Sequence, residues 1–237
     1  EIYPGQVVAL AGENGAGKST LMNILFGMSV IHDTGGYEGE IIFEGKNVQI
    51  QSPQEAMALG IGMVHQEFML LPGFTVARNI KLNRENLVPS VVSRIAGKNY
   101  ELLDQGAIIG DAKKALKRLG MEINPQTTVD KLPVGHMQFV EIARELDNQN
   151  VRLLMLDEPT SSLNITETKG LLACIREIAR EGIAVLLLFF NKVETTGLVL
   201  ERILEAKPSV LLLAQDGARE DNAHDEKAVP ECRKRVE

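Results

Sequence analysis

Apolar residues fall into two rhythms along the chain. Short unbroken runs, VVALA at 7–11, IGMV at 61–64, LLML at 153–156 and IAVLLLFF at 183–190, have the length and branched-aliphatic content of buried strands. Other stretches repeat at helical spacing. LMNILFG at 21–27 and PQEAMALG at 53–60 read as short helices, and a longer helix is expected over about 165–181. GEIIFEGKNV at 39–48 reads as a hairpin of two strands. SVLLLAQDG at 209–217 reads as one more strand closed by a turn.

From about residue 74 the rhythm changes to longer helix-compatible stretches, NYELLDQGAIIGDAKKALKRLG at 99–120 and MQFVEIAREL at 137–146, with Pro125 and Pro133 punctuating the distal half. Residues 1–73 and 146–217 are expected to form an α/β nucleotide-binding core with an antiparallel β accessory portion, and 74–145 an inserted helical subdomain. The stretch from 218 to 237 is rich in charge and has little to pack, so a solvated tail is expected.

Length and charge narrow the function classes. With 237 residues the chain can bury a sizeable core. Its net charge of −7, from 25 basic and 32 acidic residues, argues against a nucleic-acid partner. The two cysteines, Cys174 in a leucine-rich stretch and Cys232 in the charged tail, do not suggest a disulfide framework, and a reducing compartment fits better. The strongest apolar run is too short to cross a bilayer, and residues 1–11 carry no basic leader ahead of an apolar stretch. The opening EIYPGQ lacks an initiator methionine, as a processed product or fragment would.

GENGAGKST, Gly12 to Thr20, carries the most specific chemistry: a glycine, four residues, then Gly-Lys-Ser, placed after a strand and before a helix. Backbone amides must turn inward around phosphate oxygens, and a row of Cβ atoms would obstruct them, hence Gly12, Gly15 and Gly17 with the small Ala16. Glu13 and Asn14 complete the loop. Lys18 is expected to neutralise the β- and γ-phosphates, Ser19 to coordinate Mg2+, and Thr20 to add a hydroxyl or amide contact.

A second element is LLMLDE, an apolar strand presenting Asp157 and Glu158 at its end. Alone, two such acids are often helix caps or surface charges; beside a phosphate loop, Asp157 is expected to hold Mg2+, directly or through water, and Glu158 to orient or deprotonate the attacking water. Gln66, at the end of IGMVHQ, would reach Mg2+ or water, or else be an ordinary hydrogen-bonded loop residue. His65 is expected to pack or lie exposed rather than move protons.

With GENGAGKSTLMNILFG, GIGMVHQEFMLLPGFTVARNI, LPVGHMQFVEIAREL and LLMLDEPTSSL in this order, the chain resembles the ATP-binding cassette (ABC) ATPases, and among them the importers of simple sugars or nucleosides. The resemblance implies a P-loop NTPase core of RecA-like type with an inserted helical subdomain. It also implies a second cassette, as homodimer or as tandem or heterodimeric partner, with ATP buried between the phosphate loop of one and the signature segment of the other. Transmembrane permease subunits would bind the insert, a substrate-binding protein would act indirectly, and the chain would sit peripherally on the cytoplasmic face of the cell membrane. In that frame Gln66 follows both nucleotide and permease, and Glu158 to Asn164 form an interface loop, although Asn164 stands where an aspartate is often found.

Two segments depart further from the family pattern, at Pro133 and His136 and at Asn191. The signature segment resembles Leu-Ser-x-Gly-Gln but reads Leu-Pro-Val-Gly-His at 132–136; Gly135 keeps close backbone access to the γ-phosphate, whereas Pro133 offers neither hydroxyl nor amide. Losing one charged hydrogen bond costs about 1.5 to 3 kcal/mol. Asn191 stands where the family places a histidine that contacts the γ-phosphate; it can hydrogen-bond but cannot become an imidazolium. Asn191 alters the site around the chain's own Lys18, and Pro133 the site completed for a partner. The family's adenine-stacking aromatic is absent or truncated, since only Glu1-Ile2-Tyr3 precede the first Pro-Gly, and Tyr3 reads as an edge residue. The expected function is the energising subunit of a sugar importer; the alternatives are a regulatory cassette with little turnover and a nucleoside importer subunit. A cassette ATPase of translation or DNA repair would need a coiled-coil insertion or a basic surface, and neither is evident.

Overall fold

The first apolar run forms β1 (Val7–Gly12), and the helix after the glycine loop is α1 (Lys18–Phe26), followed by one turn of α2 (Ser29–Asp33). β2 (Ile41–Phe43) and β3 (Lys46–Val48) pair antiparallel, with Ile41 opposite Val48, before α3 (Pro53–Leu59) and β4 (Ile61–Val64). Then come α4 (Val76–Ile80), β5 (Leu87–Val88), β6 (Leu102–Leu103), α5 (Gln105–Arg118) and α6 (Val134–Leu146). β7 (Leu153–Asp157), α7 (Ile165–Arg180) and β8 (Ala184–Phe190) complete the described chain. The computed structural model describes residues 1–12, 17–90, 101–161 and 163–190. The strand expected at 209–217 and the tail from 218, with Cys232, lie outside them.

The chain divides into two compact units: Glu67–Gln149, and the flanking segments that start at Glu1 and resume at Asn150. In the flanking unit, four strands pair in the order β1, β8, β7, β4, every neighbour parallel, with Val8 opposite Leu186, Leu154 opposite Val185 and Met63 opposite Met155. Both faces are covered, which is why these strands carry unbroken apolar runs: Leu154, Met155, Leu156, Val185, Leu187 and Leu188 are all fully buried. Each such side chain contributes about 1.5 to 3 kcal/mol through burial. Val8, Met22, Phe26, Ile50, Ala56, Met63, Met155 and Leu186 form a shared core.

α7 buries Leu171, Leu172, Cys174, Ile175 and Ile178 along one stripe. Its start is a capping box: the Asn164 side chain accepts from the Glu167 amide at 2.9 Å, and Glu167 accepts from the Asn164 amide at 3.0 Å. Ser52 caps α3 by accepting from the Glu55 amide, with Pro53 in the first turn. Gly60 ends α3 just before β4; its φ of +92° suits glycine, and a Cβ there would stand 2.3 Å from the Asn150 carbonyl oxygen. Parallel pairing places the ends of β1, β4, β7 and β8 on one edge of the sheet, the edge where α/β sheets bind ligands.

The unit Glu67–Gln149 is mainly helical. α5 buries Ile108, Ala112 and Leu116; α6 buries Phe139, Val140, Ile142, Ala143 and Leu146. α4 has its first amides satisfied from a distance, Val76 donating to the Thr127 carbonyl and Ala77 to that of Pro125, both at 2.8 Å. Fully buried Asn79 holds the turn before α4: its Oδ1 accepts from the Leu71 amide at 2.7 Å, and its Nδ2 donates to the carbonyls of Leu71 and Thr75. Buried Lys81 lies 3.2 Å from Asp147 and 3.5 Å from Asp111. Among the described residues 101–120 of the helix-compatible stretch, the helix starts at Gln105, because Asp104 caps that turn by accepting from the Ala107 amide and Leu102–Leu103 pair with Leu87–Val88 instead.

Candidate nucleotide site

β1 delivers Gly12 to the sheet edge, and α1 starts at Lys18 behind Gly17, whose φ is +81°. That left-handed turn lets the chain pass from strand to helix within a few residues while pointing amides of the first helical turn outward. No side chain caps the start of α1. Lys18 is half-buried, and Ser19 and Thr20 are exposed beside it. Glu13, Asn14, Gly15, Ala16 and Asn191 lie outside the described residues.

β7 ends two strands away from β1. Burial pushes the Asp157 carboxyl above its usual range, and the positive charge of Lys18 partly offsets that. Lys18 and Asp157 are therefore close enough to feel each other. Glu158 turns the chain away from the sheet with φ +46°, a strained value for a residue with a Cβ, and its amide donates to the Leu188 carbonyl at 3.1 Å. The Ser161 amide then donates to the Glu158 carbonyl at 3.1 Å, closing a turn under the carboxylate. From β4, Gln66 reaches the same place: its Nε2 donates to Glu158 Oε2 at 3.5 Å, a long bond between residues 92 positions apart.

Lys18, Asp157, Glu158 and Gln66 thus converge from three strands at one edge of one unit. His65, beside Gln66, packs edge-on against Phe26 with ring centroids 6.1 Å apart. Tyr3 is exposed, with its hydroxyl on Glu1. The donors at the site are a carboxylate, a hydroxyl and a side-chain amide, and no group of three His, Cys, Asp or Glu able to hold a metal occurs among the described residues. This suits Mg2+, which takes one or two protein oxygens and completes its shell with phosphate oxygens and water. Ser19 and Asp157, with the Gln66 amide oxygen, would hold it.

The signature segment, residues 132–136, belongs to the unit Glu67–Gln149. Pro133 is the N-cap of α6, with φ −58°, ψ 148° and no side-chain cap. The His136 amide turns back onto the Pro133 carbonyl at 2.9 Å. Gly135 is buried in the first turn, while Val134 is exposed.

Two features went unread in the sequence. Asn164 departs from the family's aspartate, yet Asn-x-x-Glu is a legible capping pattern, and the side chain is engaged in it. Glu141 and Arg144 carried no signal beyond helical spacing.

A parallel sheet with a phosphate loop and a carboxylate pair at its edge defines a P-loop nucleotide-binding fold. The particular branch follows from comparison. A family model described as "ABC transporter" matches residues 1–161, and the chain belongs to that family. It is 43% identical over 182 residues to the ribose import ATP-binding protein RbsA of Rhodopirellula baltica, covering 76% of this chain and 32% of that protein. It is 42% identical over 180 residues to the xylose import ATP-binding protein XylG of an Escherichia coli strain (76% and 32%), and 36% identical over 196 residues to the L-arabinose transport ATP-binding protein AraG of Geobacillus stearothermophilus (83% and 35%). The chain spans about a third of the length of these relatives. The same fold occurs in an ABC-transporter ATP-binding cassette in its ADP conformation (TM-score 0.70, 23% identity, covering 99% of this chain and 89% of that one) and in a nucleotide-free cassette (0.70, 24%, 100% and 88%). No helix among the described residues is long and apolar enough to cross a membrane.

Proposed function

We propose that this chain is an ATP-binding cassette of an ABC importer, coupling ATP binding and hydrolysis to uptake of a simple sugar. The observation that carries this reading is the convergence of Lys18, Asp157, Glu158 and Gln66 at one sheet edge in a chain whose relatives are named for ribose, xylose and arabinose import. Gly12 to Thr20 hold the triphosphate through backbone amides and the Lys18 charge. Ser19, Asp157 and Gln66 would hold Mg2+, which would supply charge neutralisation to the phosphates. Glu158 orients a water for in-line attack on the γ-phosphorus and accepts its proton as the bond to the β–γ bridging oxygen breaks, leaving ADP and phosphate. Gln66, already on Glu158, ties metal and water positions to the segment that follows it.

A second cassette completes each site with the first turn of its own α6, where Gly135 allows close approach. Permease subunits bind the insert at 74–145, which places the chain peripherally on the cytoplasmic face of the membrane. One specific feature favours a cassette of low turnover: Pro133 leaves the start of α6 without the hydroxyl and amide that the family's serine supplies, and Asn191 removes a histidine.

The test is Mg2+-dependent ATP binding and phosphate release, with and without the permease, using Glu158→Gln as the turnover control. The variant is expected to keep nucleotide affinity and lose at least about 100-fold in turnover. Affinity indifferent to Mg2+ and to Lys18→Ala would contradict the reading. The low-turnover alternative is ruled out if the unsubstituted chain already matches a Pro133→Ser, Asn191→His double variant.

A further inference from the structure

Glu141, in the second turn of α6, is a carboxylate with no solvent exposure. Its Oε1 accepts from the Met69 amide at 2.5 Å. One turn further along, Arg144 donates from Nη1 to the Met69 carbonyl at 2.9 Å, and its Nη2 lies 3.7 Å from Glu141 Oε1. Arg144 is itself held, by Glu145 at 3.3 Å on Nε and by Arg84 on its carbonyl. The Met69 backbone is thus held at both its amide and its carbonyl by two side chains, themselves paired, of one helix. Burial pushes the Glu141 carboxyl up to about 7, and its second oxygen has no hydrogen-bond partner among the described residues. Packing alone does not call for such a group: a leucine would fill the site without desolvating a carboxyl.

The gripped residue explains the choice. Met69 lies three positions after Gln66, just beyond the point where the chain passes from one unit into the other. Met69 itself is exposed, so its side chain does not anchor the segment; its backbone does. The gripping helix starts at the signature segment. We propose that Glu141 and Arg144 are positioning residues for the segment that follows Gln66, a two-pronged clip that fixes the Met69 backbone to α6 and thereby sets how Gln66 meets metal and Glu158. The clip stands on geometry alone; its consequence for nucleotide rests on the function proposed above.

Glu141→Leu, close in volume and without an acceptor, is compared with Glu141→Gln, whose amide oxygen can still accept from Met69, and with Arg144→Lys, in the full chain. Hydrogen exchange of the 67–72 segment is expected to speed up about tenfold to a hundredfold in Glu141→Leu and to stay near the original in Glu141→Gln. The Mg2+ concentration needed for half-maximal binding of a fluorescent ATP analogue is expected to rise about tenfold in Glu141→Leu and be rescued in Glu141→Gln, while affinity without Mg2+ stays unchanged. Arg144→Lys supports the clip if it gives a partial form of both effects. An unchanged Met69 amide in a folded Glu141→Leu overturns the clip. Faster exchange with an unchanged Mg2+ requirement overturns the positioning role and leaves a structural anchor. If the unsubstituted chain shows no Mg2+-dependent affinity, the functional reading fails and the positioning role with it, while the exchange data still decide the clip. Should Glu141→Leu not fold, Glu141→Gln and Arg144→Lys decide alone: loss of protection at 67–72 in Arg144→Lys supports the clip, and full protection overturns it.

Discussion

Replacing Glu141 by glutamine should change how stability depends on pH. The carboxyl ionises near pH 7 in the fold and near 4.5 as a reference side chain, because burial outweighs the help that its charge receives from the Met69 amide and Arg144, with Glu145 opposing. Between those values the folded chain binds a proton that the unfolded chain does not. The contribution to stability is therefore complete below pH 4.5 and lost as pH rises through 7. At about 1.4 kcal/mol per pH unit, the loss between pH 5 and pH 8 amounts to about 2 to 3 kcal/mol. Glutamine is neutral throughout and keeps an acceptor for Met69, so it removes the proton linkage without removing the hydrogen bond. Urea denaturation of both proteins at several pH values between 5 and 8 measures the difference. The variant should gain on the original by that amount as pH rises, with equal urea dependence on both sides. Parallel curves, or a variant that loses ground toward pH 8, would show that Glu141 is charged at no net cost in the fold, and the desolvation argument would be wrong.

Three further outcomes follow from particular contacts. Asn164→Ala removes the side-chain half of the α7 capping box, leaving the Asn164 amide to donate to Glu167, and should cost about 1 kcal/mol, read as a fall in Tm of about 2 to 4 °C. Gly60→Ala places a Cβ against the Asn150 carbonyl at a φ of +92° and should cost more than about 1 kcal/mol by urea denaturation. Pro133→Ser gains a capping hydroxyl and loses proline's restraint on the unfolded chain; these nearly cancel, so Tm should stay within a few degrees while phosphate release rises about tenfold or more.

The parts of the fold that were legible are those where local pattern and burial agree. β1, β4, β7 and β8 are buried on both faces, so their runs need no partner to be recognised, and the Gly-x4-Gly-Lys-Ser pattern names its own chemistry because few other uses call for so many amides around one lysine. Where a partner decides the outcome, the pattern fell short. Leu102 and Leu103 fit a helix until Leu87 and Val88 are there to pair with them. Glu141 sits among charged and apolar residues at ordinary helical spacing, and nothing local distinguishes it from a solvated carboxylate; its burial is decided by a peptide 72 positions earlier. The same reasoning bears on Pro133. At the level of sequence it is a missing donor, but as the N-cap of α6 it occupies a position whose own amide takes no part in the helix, so the helix that carries Glu141 and Arg144 starts there undisturbed. On the proposed function, a serine at 133 would add a contact toward a partner's phosphate without changing the grip on Met69, and that separation is why Pro133→Ser should alter turnover while leaving the exchange of residues 67–72 where it was.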